Sequence, residues 1–112
     1  MKVWQKADVL AKEIHKLTLG FPKFENFELG GQMRRSSGSV PDNIAEGSCK
    51  SEKSFVNFLS IARGSVKELE GQVGRCFEVG YLSVEDSGRI LLELEEIGKM
   101  ISGVIRYLKK KM

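Results

Sequence analysis

The sequence predicts an all-α protein, an antiparallel up-and-down four-helix bundle, on three observations. Apolar residues recur at spacings of three and four along four separate segments, which is the period of an amphipathic helix. Strand-type alternation is nearly absent, and the chain contains only two prolines. The connections between the four segments are short, which favours antiparallel neighbours in a bundle. The length of 112 residues indicates a single domain, 1–112, with one modest core.

The first segment predicts a helix from about Lys2 to Leu19. Gly20 follows it at the position where a helix C-terminus favours glycine, and Pro22 prevents the helix from continuing. The connection 21–28 contains three phenylalanines, which we expect to fold back over one end of the bundle. The apolar face of this helix is formed by Val3, Trp4, Ala7, Leu10, Ala11, Ile14, Leu17 and Thr18.

The second segment predicts a helix from near Gly30 to near Glu46 or Gly47, with Pro41 in its interior. Proline removes a backbone donor and clashes with the preceding turn, at a cost of about 3 kcal/mol. The helix therefore either bends and stays nearly continuous, or breaks and restarts with Ser39 as its N-cap. The apolar spacing keeps its phase through the proline, which favours a continuous helix kinked near Pro41.

The third and fourth segments predict two longer helices. Ser51 is placed to cap the third, which runs to about Val79, and Gly80 ends it. Ser83 is placed to cap the fourth, whose broad apolar band extends to about Lys109.

The predicted second helix carries a polar stripe beside a thin apolar one. Three interpretations of this stripe remain open. It is either a solvated face with i,i+4 pairs, a polar seam buried against another helix or another subunit, or a ligand site. Each glycine inside a helix costs close to 1 kcal/mol, so the several glycines of the third helix favour close packing against its backbone. We expect an ion pair between Arg35 and Glu46 or Glu68 in such a seam. The candidate seam residues are Gln32, Arg35, Ser39, Asn43, Glu46, Gly64 and Glu68.

Basic residues are concentrated in the second and third helices. The formal net charge of +3 permits an anionic partner without requiring one, and interleaved glutamates could neutralise the basic residues. We expect most aromatic side chains on core faces, unlike the exposed stacking aromatics of sequence-specific RNA modules. The candidate nucleic-acid-binding residues are Arg34, Arg35, Lys50, Lys53, Arg63, Lys67 and Arg75.

The sequence offers no motif for catalysis or for binding a metal. Di-iron four-helix bundles need Glu-x-x-His pairs, but the one histidine is His15, and Lys12 lies three residues before it. Cys49 and Cys76 lack the companion ligands of a zinc site and are expected to be reduced structural cysteines. A phosphate-binding P-loop and a Gly-x-Ser-x-Gly motif are both absent. We therefore expect a protein that is not an enzyme and has no cofactor or metal.

The sequence also indicates the compartment. Charges interrupt residues 1–16 throughout, unlike the apolar core of a signal peptide. No run approaches the roughly 20 apolar residues that a membrane span requires. We expect a cytoplasmic protein with no membrane partner.

Three stretches of the chain have a distinctive order: QMRRSSGSVPDNIAEGSCKS, FVNFLSIARGSVKELEGQV and the GYLS turn. Their most specific elements are NIAEG and ARGS followed by ELE. In these stretches the chain resembles the 23S rRNA-intervening sequence proteins, a bacterial family. The Trp-x-Lys-Ala start and the Phe-Pro pair after the first helix extend the resemblance over nearly the whole chain.

The resemblance implies an up-and-down four-helix bundle that assembles as a homo-oligomer, a pentameric ring. Some members of the family are encoded by inserts within genes for large-subunit ribosomal RNA. A structurally similar group assists the reverse transcriptases of diversity-generating retroelements, where a basic surface contacts nucleic acid.

Two functional hypotheses follow. The first is a non-catalytic, homo-oligomeric module that binds RNA or DNA. The second is a scaffold that binds another protein and no nucleic acid. The charge on the outer surface of the assembled ring separates the two, and the sequence of one chain does not reveal it.

Overall fold

The computed structural model describes residues 1–112 as a bundle of four α-helices. The helices are α1 (Lys2–Leu19), α2 (Leu29–Ser48), α3 (Glu52–Glu78) and α4 (Val84–Lys111), and a short 3-10 turn at Lys23–Glu25 lies between α1 and α2. Each helix packs against the next, and α1 also packs against α4. The bundle measures 47 × 24 × 18 Å and contains no strand. The predicted all-α fold is confirmed.

The ends of α3 and α4 follow from local side-chain and backbone chemistry. Ser51 Oγ accepts the Ser54 N–H at 3.3 Å, and Ser83 Oγ accepts the Asp86 N–H at 3.0 Å. Both predicted N-caps are therefore present. After α3, Gly80 adopts a φ of +84°, and the next amide donates to the Cys76 carbonyl at 2.8 Å. This is the Schellman arrangement, in which the left-handed residue is best a glycine.

The helix α2 runs through Pro41 without interruption. It does not restart at Ser39, so the alternative of a broken helix is excluded, while the angle of the kink stays a prediction. Asn43 Nδ2 donates to the Ser39 carbonyl at 2.8 Å and to Ser39 Oγ at 2.9 Å. These bonds brace the turn that contains the proline, whose own ring is buried.

The core of the bundle is aliphatic. Twenty-two hydrophobic residues form one buried cluster, and none of the six Phe, two Tyr and one Trp is among them. The expectation that most aromatic side chains lie on core faces is wrong, because five of them are exposed. Two of the five lie in the connection between α1 and α2, and the other three lie on α1, α3 and α4. The exposed aromatics are Trp4, Phe24, Phe27, Phe77 and Tyr107.

The connection between α1 and α2 folds back only in part. Phe21 packs against Tyr81, with ring centroids 5.0 Å apart, but Phe24 and Phe27 are exposed. Glu25 takes the inward position of the 3-10 turn instead, because its carboxylate accepts the Tyr81 hydroxyl at 2.8 Å. The same hydrogen bond raises the pKa of the Tyr81 hydroxyl.

Candidate functional site

The predicted basic residues are distributed over separate surfaces of the bundle. Arg35 and Arg75 line a groove between α2 and α3, here called the α2–α3 groove. Arg63 and Lys67 line a second groove between α3 and α4, here called the α3–α4 groove. The seven candidates therefore do not form one continuous basic patch.

Two of the other candidates lie near the turn between α2 and α3. Lys50 Nζ lies 3.4 Å from the carboxylate of Glu46, a pair that sits at the C-terminal end of α2. Lys53 lies in the first turn of α3, where its side chain is exposed and makes no ion pair within the chain. Neither residue lines either groove.

Arg34 is held by hydrogen bonds within the chain. Its guanidinium donates to Thr18 Oγ1 at 3.0 Å, to the Asn26 carbonyl at 2.8 Å and to Asn26 Oδ1 at 2.9 Å. These bonds tie α2 to the end of α1 and to the connection between them. The donors of Arg34 are thus engaged by the fold.

The α3–α4 groove is a basic cleft of about 570 Å³. Four basic and two acidic side chains line it, together with small and aliphatic residues of the two helices. The lining residues are Arg63, Val66, Lys67, Glu70, Leu94, Glu95, Gly98, Lys99, Ser102 and Arg106.

The two lysines of the α3–α4 groove are paired along their own helices. Lys67 Nζ lies 3.4 Å from Glu70, and Lys99 Nζ lies 3.1 Å from Glu95. Exposed pairs of this spacing contribute only about 0.3–0.5 kcal/mol each, so both ammonium groups can turn towards another anion at little cost.

The two arginines of the α3–α4 groove have no carboxylate partner. Arg63 donates to Ser102 Oγ at 3.3 Å across the groove, and Arg106 takes part in no ion pair or hydrogen bond within the chain. Two guanidinium groups on opposite walls thus keep their full charge, with donors free for an anion.

Sequence reasoning missed Lys99 and Arg106 because it considered only the basic residues of the second and third helices. The two are seven residues apart on α4, which is close to two helical turns, so they share a face. Arg63 and Lys67 share a face of α3 in the same way. Both spacings can be recognised in the sequence. Only the packing of α3 against α4 in the structure shows that the two basic faces lie opposite each other.

The α2–α3 groove is a polar cleft of about 580 Å³ with no hydrophobic residue in its lining. Four of the seven candidate seam residues are brought together there, namely Gln32, Arg35, Ser39 and Glu68. The complete lining is Gln32, Arg35, Ser36, Ser39, Ser65, Glu68, Gly71, Gln72 and Arg75.

Short hydrogen bonds join the walls of the α2–α3 groove. Ser65 Oγ donates to Ser39 Oγ at 2.8 Å, and Ser36 Oγ donates to Glu68 Oε1 at 3.1 Å. The amide of Gln72 is only 6% exposed, and its Oε1 is buried with no hydrogen-bond donor. An unsatisfied buried acceptor costs roughly 1–3 kcal/mol, so this groove retains hydrogen-bonding capacity that the chain does not use.

The expected ion pair of Arg35 with Glu46 or Glu68 does not form within the chain. Glu46 lies beside Lys50, and Glu68 accepts a hydrogen bond from Ser36. A pair between two subunits stays a prediction. The other candidate seam residues, Asn43, Glu46 and Gly64, lie outside the groove lining.

The α3 glycines pack against nothing within the chain. A Cβ added to Gly64, Gly71 or Gly74 would meet no atom within 4 Å, because these positions face away from the core. The close approach lies elsewhere, at Gly47 of α2, where a Cβ would lie 2.7 Å from Phe58 Cβ. The prediction of close packing against α3 is therefore wrong for contacts within the chain.

Other reactive groups form no site. No group of three or more His, Cys, Asp and Glu side chains is placed to hold a metal ion. Cys49 is exposed, whereas Cys76 is buried against Met33, and burial raises the pKa of the Cys76 thiol to about 11. No helix combines the length and apolar character needed to cross a membrane.

Comparisons with known proteins agree with the motifs. The family model of the 23S rRNA-intervening sequence protein matches residues 1–103. Among solved structures, the chain is similar to a protein of unknown function from the S23 ribosomal protein family of Bacteroides thetaiotaomicron. The TM-score is 0.83 with 27% identical residues, over 93% of this chain and 95% of that chain. No curated protein matches the chain.

Proposed function

The chain belongs to the family of 23S rRNA-intervening sequence proteins, and from that premise we propose that it is a cytoplasmic, non-catalytic, homo-oligomeric module that binds nucleic acid. The α3–α4 groove is the proposed binding surface. The observation that carries the proposal is the pair of guanidinium groups of Arg63 and Arg106, which face the same groove and have no carboxylate partner.

The groove suits a phosphate backbone on physical grounds. Arginine can give two parallel hydrogen bonds to a phosphate, and such charge-assisted bonds are about twice as strong as neutral ones. Lys67 and Lys99 add positive charge along the same groove once they leave their exposed partners. Assembly of several subunits would repeat the groove and raise the avidity for a long polyanion.

The test is binding of labelled structured RNA, single-stranded RNA and duplex DNA, followed by fluorescence anisotropy across a salt series. We expect affinity to fall steeply with salt. For each phosphate contact, the logarithm of the binding constant should fall by roughly 0.7–0.9 for every tenfold increase in salt concentration. The variant with Arg63→Gln and Arg106→Gln should bind more weakly, and its slope should fall by about 1.4–1.8 for two lost phosphates.

The matched control removes the same charge from the other groove, with Arg35→Gln and Arg75→Gln. Compared with wild type at equal oligomeric state, this control should keep the wild-type salt slope. Absence of binding by the wild type at low salt would overturn the proposal. Equal losses in the two double variants, at equal oligomeric state, would mean that net charge alone determines binding.

The α2–α3 groove supports a second candidate function, a protein–protein interaction surface. The specific observation is the buried, unpartnered Oε1 of Gln72 beside two arginines with no ion pair. A partner that supplied a donor to Gln72 and a carboxylate to Arg35 or Arg75 would satisfy this groove. We propose a second copy of the chain as that partner, and this contact would build the homo-oligomer proposed above.

The test of this contact is Arg35→Ala, measured by light scattering and thermal unfolding. If Arg35 forms a buried pair between subunits, its loss should cost about 3–5 kcal/mol and shift the mass towards the 12.5 kDa monomer. If assembly and melting temperature are both unchanged, Arg35 is not part of a subunit contact.

A further inference from the structure

An apolar hollow of about 370 Å³ lies between the start of α1 and the last turns of α4. It is separate from both grooves, and five of its seven lining residues are hydrophobic. The lining residues are Met1, Lys2, Val3, Met100, Gly103, Val104 and Tyr107.

Tyr107 forms an exposed aromatic wall of this hollow. Its side chain is 61% exposed, and its hydroxyl makes no hydrogen bond within the chain. Lys111 Nζ lies 5.3 Å from the ring centroid and is held there by Glu52 at 2.9 Å. The ring is thus oriented without being covered by the core, and the Lys111 ammonium lies over one of its two faces.

Arg106 connects the hollow to the α3–α4 groove. Its Nη2 would lie 3.8 Å from a Cβ added to Gly103, and Gly103 lines the hollow. Because Arg106 also lines the groove, its guanidinium stands at the border between the two surfaces. Lys2 provides a further positive charge on the α1 side of the hollow.

We propose that this hollow binds one unpaired nucleobase, which stacks on Tyr107 while the flanking phosphates contact Arg106 and Lys2. The inference rests on the proposed function and specifies its substrate as single-stranded nucleic acid or an unpaired loop. A base inside a duplex is already stacked on its neighbours and cannot enter the hollow. Exposed aromatics flanked by cations are the usual platform for single strands.

The surroundings of the site favour a base over an extended lipid surface. The hollow is a small, shallow site with one aromatic wall, and cations border it on two sides. It also borders the α3–α4 groove at Arg106, so one strand can place phosphates in the groove and a base in the hollow. A lipid surface would instead contact a broad, convex apolar face.

The experiment compares three probes of equal charge: a short single strand, the same strand with abasic sugars, and a duplex. Wild-type protein should bind the strand with bases about 5- to 150-fold more tightly than the abasic strand, the range expected for one base stacked on an aromatic ring. Tyr107→Ala should abolish this preference and leave the salt slope unchanged, because no phosphate contact is lost. Tyr107→Phe should retain the preference.

Phe27→Ala is the matched control. Phe27 is 86% exposed and lies in the connection at the opposite end of the bundle, so its removal should change nothing. An RNA and a DNA version of the strand show whether the 2′-hydroxyl contributes. The same variants are also mixed with phosphatidylserine-containing vesicles.

The outcomes separate this inference from the proposed function. If salt-dependent binding persists but abasic strands bind equally, or Tyr107→Ala binds like wild type, the hollow is not a base site and the groove proposal stands. If vesicles bind through Tyr107 and the strands do not, the hollow serves a membrane surface and the inference is overturned. If no nucleic acid binds at all, both proposals fail.

Discussion

Arg34 and Arg63 are both basic side chains of a basic protein, yet their environments give them different roles. Arg34 donates to three oxygens of the α1 terminus and the following connection, whereas Arg63 makes one longer bond to the half-buried Ser102. The first residue stabilises the fold, and the second keeps donors that the chain does not use. The presence of an arginine in the sequence therefore does not show whether its donors are free to bind an anion.

Arg34→Ala should lower the free energy of unfolding by about 1–3 kcal/mol, because it leaves the Thr18 and Asn26 oxygens without their charged donor. Arg63→Ala, the matched control, should stay within about 0.5 kcal/mol of wild type. Urea denaturation followed by circular dichroism measures both. An Arg34→Ala protein as stable as wild type would show that these hydrogen bonds contribute nothing net.

The two cysteines should differ in reactivity. Burial raises the pKa of the Cys76 thiol from 9.0 to about 11, so at pH 8 it is protonated as well as inaccessible, while Cys49 is exposed. A thiol reagent should modify one residue in the native protein and two after unfolding. Cys49→Ser should leave no native thiol that reacts rapidly.

The same pKa shift predicts how stability changes at high pH. Between about pH 9 and 11, native Cys76 keeps a proton that the unfolded chain has lost. The stabilisation by Cys76 is therefore fully present below about pH 9 and is lost as the pH rises through the pKa of the native thiol. Urea denaturation of wild type and Cys76→Ala at pH 8 and pH 11 measures this loss, and an equal pH dependence in the two proteins would contradict this account.

At the scale of the helices, the glycines divide into two classes. A Cβ at Gly47 would lie 2.7 Å from Phe58 Cβ and 2.8 Å from Phe55 Cδ1, whereas a Cβ at Gly64 would meet nothing within 4 Å. The first glycine lets α2 approach α3 closely. The second has no such role within the chain and only weakens its helix.

Gly47→Ala should therefore destabilise the protein by about 1–3 kcal/mol through overpacking. Gly64→Ala should stabilise it by up to about 1 kcal/mol through higher helix propensity. Thermal unfolding of the two variants beside wild type tests the pair. The prediction fails if the two substitutions shift the melting temperature in the same direction by the same amount.

The helices themselves could be predicted from the sequence because their signals are local. Ser51, Ser83 and Gly80 act within a few residues of where they stand, and the apolar period identifies the face that turns inward. The period does not separate the centre of a stripe from its edge. That is why Trp4 was assigned to the apolar face of α1 but is 37% exposed.

At the scale of the whole molecule, the candidate site could be predicted only in part. Arg63 and Lys67 were identified from α3 alone, but Lys99 and Arg106 complete the groove from a helix more than thirty residues away. Which residues face each other across two antiparallel helices depends on the register of the helices. The periodicity of each helix sequence does not determine that register. Four of the seven candidate seam residues do line the α2–α3 groove, because they recur at helical spacing on α2 or lie opposite on α3.

The whole bundle pairs many of its charged side chains within the chain. Most carboxylates are already paired: Glu46, Glu70, Glu95 and Glu96 each lie beside a lysine. Arg89 is likewise neutralised, by Glu13, Asp86 and Glu93. Seven of the eighteen basic side chains are ion-paired within the chain, and Arg63 and Arg106, which face the α3–α4 groove, are not among them.

The most direct measurement is a nuclear magnetic resonance titration of the arginine side-chain Nε–Hε signals with single-stranded RNA. The chain contains six arginines, each with its own signal, and they sample both grooves, the α1–α2 connection and the α4 ion-pair network. We expect Arg63 and Arg106 to shift with saturation, while Arg34, Arg35, Arg75 and Arg89 stay close to their free positions. Shifts at Arg35 and Arg75 with none at Arg63 and Arg106 would contradict the assignment of the α3–α4 groove as the nucleic-acid interface.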